Sequence, residues 1–269
     1  MTRTLLAIFA HPDDEAFGIG GTLARYAHEG VRVVLICATR GESGKITDPS
    51  IPADVDKAAL REQELQQACQ ALEIEAPIFL DYHDSGRHER TQYDNPRALM
   101  NVNEDEIAGV LLEHIATIKP QVMLSFDPHG IYGHIDHIKM HRAATAAFWA
   151  AGGVMQPAPQ RLFYTVMATR RMQQMTEAQY NSVLSELDPR RYGVSDDSLA
   201  ALLNVEAYAA QKEAAIRAHR SQVGPQSSFA EISSAHPVWR DMFLQETLSL
   251  GGLRGSFPAM PVDDLFAGL

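Results

Sequence analysis

The sequence predicts an α/β fold, a three-layer sandwich with a mainly parallel sheet between helices. Short, nearly unbroken apolar runs alternate with helix-period segments from residue 4 to about 151. Runs without polar interruption suit strands buried on both faces, and the intervening segments are long enough for right-handed helical crossovers.

Residues 4–10 read as a fully buried strand. Residues 16–29 read as a helix, with Gly30 in the position past its end where glycine is favoured. Residues 31–38 form a β-branched second strand, and 39–52 a loop punctuated by Gly41, Gly44, Pro49 and Pro52. In 53–73 the apolar positions Val55, Ala59, Leu65, Ala68 and Leu72 recur at helical spacing. A third strand spans 77–82, a polar loop runs to 101, and a helix over 104–118 carries a stripe from Ile107 to Ile118. Residues 121–126 are the fourth strand and 134–151 the next helix. Further on the pattern weakens: a strand at 162–168, a helix at 177–187, a loop at 188–198, an Ala-rich helix at 206–220 and a helix at 237–250 opened by Pro237. No repeat or linker divides the chain, so 1–269 is read as a single domain.

Hydrophobic residues make up 45% and charged residues 21%, enough for a folded core. The net charge of −11 repels phosphate backbones, so no nucleic-acid partner is expected. Cys37 and Cys69 make no disulfide framework, which fits a reducing compartment. The first apolar run is too short to span a membrane and lacks a signal-peptide cleavage pattern. The expectation is a soluble, cytoplasmic protein.

Ligands of open parallel sheets bind beyond the carboxyl ends of the strands, where the strand order switches. The first strand runs into His11-Pro12-Asp13-Asp14-Glu15, three carboxylates beside one imidazole. Adjacent acids repel unless a cation or water neutralises them, although a helix start also favours acids. The fourth strand runs into a stretch holding His129, His134, His137 and His141, the last three at i, i+3 and i+7. In either common strand order the two loops face one crevice. A catalytic zinc takes three protein ligands and keeps one position for water. His11, Asp14 and either His137 or His141 are the candidates. Gly18-Ile19-Gly20-Gly21 begins too far from the strand for a dinucleotide loop and reads instead as tight packing. Cys37 lies within a buried strand and is no nucleophile candidate.

Ala10-His11-Pro12-Asp13-Asp14-Glu15, followed by Gly-Ile-Tyr-Gly-His-Ile-Asp-His at 130–137, resembles the LmbE-like (PIG-L type) de-N-acetylase family. Thr39-Arg40-Gly41-Glu42, Arg61 with Glu64, Asp84-Ser85-Gly86, and Lys212 followed by His219-Arg220-Ser221-Gln222 match in the same order. Arg87 stands where the family commonly has methionine. The resemblance implies a Rossmann-like fold and one Zn2+, or another divalent metal such as Fe2+ or Co2+. It implies hydrolysis of the acetamide of an N-acetylglucosamine-type sugar or conjugate. His11, Asp14 and His137 become the metal ligands and Asp13 the general base. His134 becomes a general acid or oxyanion-stabilising group held by Asp136, and Tyr132 helps polarise the carbonyl. Arg61 and Asp84 are candidates for gripping sugar hydroxyls. Residues 151–205 match no motif and are read as a specificity-determining insertion. An amidase of the same mould acting on a larger N-acyl or thiol-sugar conjugate, and a metal- or sugar-binding protein without turnover, are the alternatives. The partner is a small amino-sugar, and a homo-oligomer is compatible with the reading.

Overall fold

Strands β1 (Thr4–Phe9), β4 (Val122–Phe126) and β5 (Arg161–Thr165) are buried at every position, as expected of largely apolar strands covered on both faces. A computed structural model describes residues 2–178, 186–237 and 239–269. With β2 (Arg32–Thr39), β3 (Ile78–Tyr82), β6 (Ala201–Asn204) and β7 (Gln245–Leu253), these strands form one sheet in the order β3-β2-β1-β4-β5-β7-β6. The first five strands are mutually parallel, and β7 runs antiparallel to both β5 and β6. β1 pairs with β2 on one side and β4 on the other, so the strand order reverses there and opens the crevice at their carboxyl ends.

The first-half helices are α1 (Asp14–His28), α2 (Lys57–Ala71) and α3 (Glu104–Ile118), then a single turn α4 (Gly130–Gly133) and the long α5 (Ile135–Val154). The second half adds α6 (Thr169–Glu177), α7 (Pro189–Tyr192), α8 (Ala209–Ala218) and α9 (Arg240–Leu244). Gly30 has φ +76, the left-handed conformation expected of a residue just past a helix. None of the described helices is long and apolar enough to cross a membrane.

α1 is broken at Ile19 (φ −141°, ψ 21°). The break frees two backbone N–H groups, and those of Gly21 and Thr22 donate to the Glu246 carboxylate of β7 at 3.0 and 2.7 Å. Lys212 of α8 neutralises Glu246 at 2.5 Å, fully buried. A Cβ on Gly21 would stand 2.6 Å from Val205 Cβ, the close approach behind the glycine run.

The second half departs from the sequence reading. Of the described residues in the expected 237–250 helix only 240–244 are helical; 245–253 is strand β7. There Glu246 and Leu248 point to buried sides two residues apart, a strand period that wins once β5 and β6 offer hydrogen bonds. Gly251 and Gly252 pack against Tyr164 and Phe148, each closer than a Cβ would allow. Residues 151–205 are not a separate insertion, because they supply β5 at the heart of the sheet and β6 at its edge. Strand β6 had no counterpart in the sequence reading. Most of the expected 177–187 helix lies outside the described residues, and α6 ends at Glu177.

Candidate active site

His11 leaves β1 into a tight turn in which its N–H donates to Asp14 Oδ2 at 2.8 Å. The turn needs a left-handed residue, and Asp13 takes φ +118°, a strained value for a residue with a side chain. Two contacts hold it there: Asp13 N–H donates to Glu15 Oε2 at 3.0 Å, and Arg61 donates to Asp13 Oδ2 at 3.0 Å. Glu15 is fixed in turn by the buried His219 at 2.6 Å. Across the crevice, α4 brings a chain reversal with Gly130 at φ +60, where a Cβ would meet His137 Cβ at 2.8 Å.

The reversal places His137 against His11 and Asp14. His11 Nδ1 lies 3.2 Å from His137 Nε2, Asp14 Oδ1 lies 3.2 Å from the same His137 atom, and Asp14 Oδ2 lies 3.6 Å from His11 Nδ1. Ligand atoms about 2.0–2.1 Å from a tetrahedral zinc stand roughly 3.3 Å apart, so these separations fit the edges of one coordination face. The outer ring nitrogens settle which tautomers face the gap. His137 Nδ1 donates to Gly130 O at 3.2 Å, and His11 Nε2 donates to Asp136 Oδ2 at 3.1 Å, with Asp84 Oδ1 at 3.4 Å. With those outer partners both imidazoles can offer a lone pair to a cation in the same gap. Burial opposes charge on His11, yet Asp84, Asp136 and Asp14 together raise its pKa well above the usual value, so positive charge is favoured here.

His134 caps α5: its Nδ1 accepts the Asp136 N–H at 3.2 Å, which leaves Nε2 as a donor. A ring nitrogen of His134 lies within 4.8 Å of ring nitrogens of His11 and His137. Burial, with His11 and His137 nearby, pushes its pKa down to about 2, so the ring is neutral. The Tyr132 ring lies 5.1 Å from that of His137, and burial keeps its phenol protonated. Burial pushes the Asp13 carboxyl up to about 6 while Arg61 pulls it down, close to the value that suits a base near neutral pH.

Three expectations change. The Asp136 carboxylate holds His11, not His134; only its backbone N–H touches His134. Asp84 is buried, with its oxygens on the Ser43 and Gly86 N–H groups and beside the His11 ring, so its contacts orient that imidazole. Arg61 is also buried, bonded to Pro12 O, Gly41 O and Asp13. A Cβ on Gly41, at φ +67, would come 1.9 Å from Arg61 Nη1, so that glycine makes room for the guanidinium. Because Arg61 fixes the side chain of Asp13, Arg61→Lys is expected to lower kcat about tenfold and leave KM and metal content unchanged. A change in KM alone would return Arg61 to substrate binding. His141 stands apart, its Nδ1 on Phe126 O at 2.9 Å and its ring against Tyr164.

The sequence reading attached no role to Glu15, Glu64, Lys212, His219 and Ser221. Ser221 binds Glu64 of α2 through its N–H at 2.7 Å and its hydroxyl at 2.6 Å. Their signal was charge or polarity inside apolar helical patterns.

Residues 6–148 match the family described as PIG-L, GlcNAc-PI de-N-acetylase. The chain is 35% identical to the 1D-myo-inositol 2-acetamido-2-deoxy-alpha-D-glucopyranoside deacetylase of Salinispora arenicola, over 99% of this chain and 92% of that protein. The N,N'-diacetylchitobiose deacetylase of Pyrococcus horikoshii superposes with a TM-score of 0.60 at 19% identity, over 92% of this chain and 83% of the other. A 4-carboxy-2-hydroxymuconate hydratase from Pseudomonas putida KT2440 superposes equally well (TM-score 0.61, 18% identity, 96% and 99% coverage), so the fold alone does not choose the reaction. The choice comes from the sequence match, which spans both strand-end loops of the crevice, and by it the chain belongs to the PIG-L family of de-N-acetylases.

Proposed function

We propose that this protein is a zinc-dependent hydrolase that removes the acetyl group from an N-acetylglucosamine-type conjugate, releasing acetate and a free amine. The observation that carries this reading is the convergence of two imidazole lone pairs and the Asp14 carboxylate on one gap. Asp13 stands beside it in a cavity of about 490 Å³. The donor set His11, His137 and Asp14 suits zinc, and Fe2+ or Co2+ also accept it. The name of the Salinispora relative supports a glycoside of N-acetylglucosamine as the substrate class.

A divalent cation held by His11, His137 and Asp14 would polarise the acetamide carbonyl and make water a usable nucleophile near neutral pH. The chain's own residues do the rest. The Asp13 carboxylate, fixed by Arg61 through Oδ2, accepts the proton of the attacking water. It returns that proton to the nitrogen as the C–N bond breaks. His134 Nε2–H donates to the carbonyl oxygen as it gains negative charge, and Tyr132 adds a second donor. With a neutral ring whose Nδ1 is already an acceptor, His134 acts as an oxyanion donor and not as the acid. Asp84 and Asp136 hold the His11 ring through Nε2 and so aim Nδ1 at the gap.

The test is acetate release from N-acetylglucosaminyl glycosides before and after dialysis against a chelator. Activity is expected to vanish with the metal and to return on adding zinc. Turnover that survives complete metal removal would overturn the reading. Faster release of a longer acid than of acetate would favour the amidase alternative.

A further inference from the structure

Arg171, in α6, the helix that follows β5, lines the cavity together with Lys45 and Arg87. The other deeply placed cations of the wall are satisfied: Arg61 by Asp13 and two carbonyls, Lys212 by Glu246 and Met242 O. Arg171 has no hydrogen-bond or ion-pair partner among the described residues. Glu246 is near it but already takes Lys212 and Gly21 N–H on one oxygen and Thr22 N–H on the other. Met167, Trp239 and Met242 line the same wall, so its neighbours there are largely apolar. Burial pulls the guanidinium down to about 10, against the pull of Asp241 and Glu246, yet it remains a cation at neutral pH. The wall as a whole carries six Lys or Arg and four Asp or Glu side chains, a cationic surplus in a chain of net charge −11.

A half-buried guanidinium that faces a cavity with no hydrogen-bond partner among the described residues is free to pair with a ligand, and its planar fork matches a carboxylate or phosphate. We propose that Arg171 binds an anionic group, a carboxylate or a phosphate ester, on the part of the conjugate beyond the N-acetylglucosamine ring. The substrate is then an acidic conjugate. Only the identity of the sugar ring rests on the deacetylase reading. Arg171, Met167, Thr165 and Val166 all fall within 151–205, so this stretch sets specificity through the cavity wall and not as an appended insertion.

The test compares three phenyl glycosides of N-acetylglucosamine, bearing 4-carboxy, 4-phosphonooxy or neutral 4-carbamoyl groups. Their Kd values for the metal-loaded protein are measured by calorimetry. The wild type is expected to bind at least one acidic glycoside about tenfold or more tightly than the carbamoyl one, the scale of a charge-assisted hydrogen bond. The better of the two acids distinguishes carboxylate from phosphate. Arg171→Gln should bring the ratio to about one, and Arg171→Lys should keep part of it. Equal Kd values in the wild type, or a preference that survives Arg171→Gln, overturn the proposal. Acetate release is scored separately: if no glycoside is hydrolysed the deacetylase reading falls, while the Kd ratio still decides the role of Arg171.

Discussion

His137→Ala is expected to leave the protein without its divalent ion and to reduce acetate release to the rate of the protein-free reaction. The His137 ring is fixed at its outer nitrogen by Gly130 O and stacks on Phe126 at 4.0 Å, so its position is set before any ion arrives. Alanine removes one of the three proposed donors, and His134 and His141 are otherwise engaged. His134 Nδ1 is committed to capping α5, and His141 is turned toward Phe126 O. His11→Ala should behave alike, with the added cost of leaving Asp84 and Asp136 adjacent without the imidazole that bridges them. Metal content after dialysis is the measurement. His141→Ala should hold as much metal as the wild type. Equal loss in His141→Ala, or retention in His137→Ala, would give the third position to another residue.

Asp13→Asn should retain metal and fold and lose about 10²–10⁴-fold in kcat, the usual worth of a positioned acid–base group. Asparagine fills the same space and can still accept from Arg61, so the turn survives while the proton acceptor is lost. The distinguishing measurement pairs metal content with single-turnover acetate release. Loss of metal in step with activity would make Asp13 a ligand.

The sequence disclosed the first four strands and the crevice loops because the signals there are local. Continuous apolar runs mark buried parallel strands, and His11-Pro12-Asp13-Asp14-Glu15 follows β1 directly. The residues that hold the site were less legible because their partners are distant. Arg61 resembles any surface helix arginine until Gly41 O and Asp13 are seen beside it. Asp136, one residue from His137, seems a natural partner for His134, yet helix geometry carries its carboxylate to His11. Pro237 marks a helix start, so 237–250 reads as one helix, and the strand character of β7 depends on β5 and β6, which the local pattern does not reveal.

The break in α1 at Ile19 bears on how the molecule assembles. Its two freed N–H groups wait for Glu246, 225 and 224 residues further along the chain. The support under Asp13 likewise comes from His219, 204 residues beyond Glu15. During synthesis, a ribosome that has completed α5 has already incorporated all three proposed metal ligands, yet the turn that aims them still lacks its supports. β6, too, has no neighbour in the sheet until β7 slides between it and β5. Such long-range closures pay their loop entropy late, so the centre matures only when nearly the whole chain has emerged.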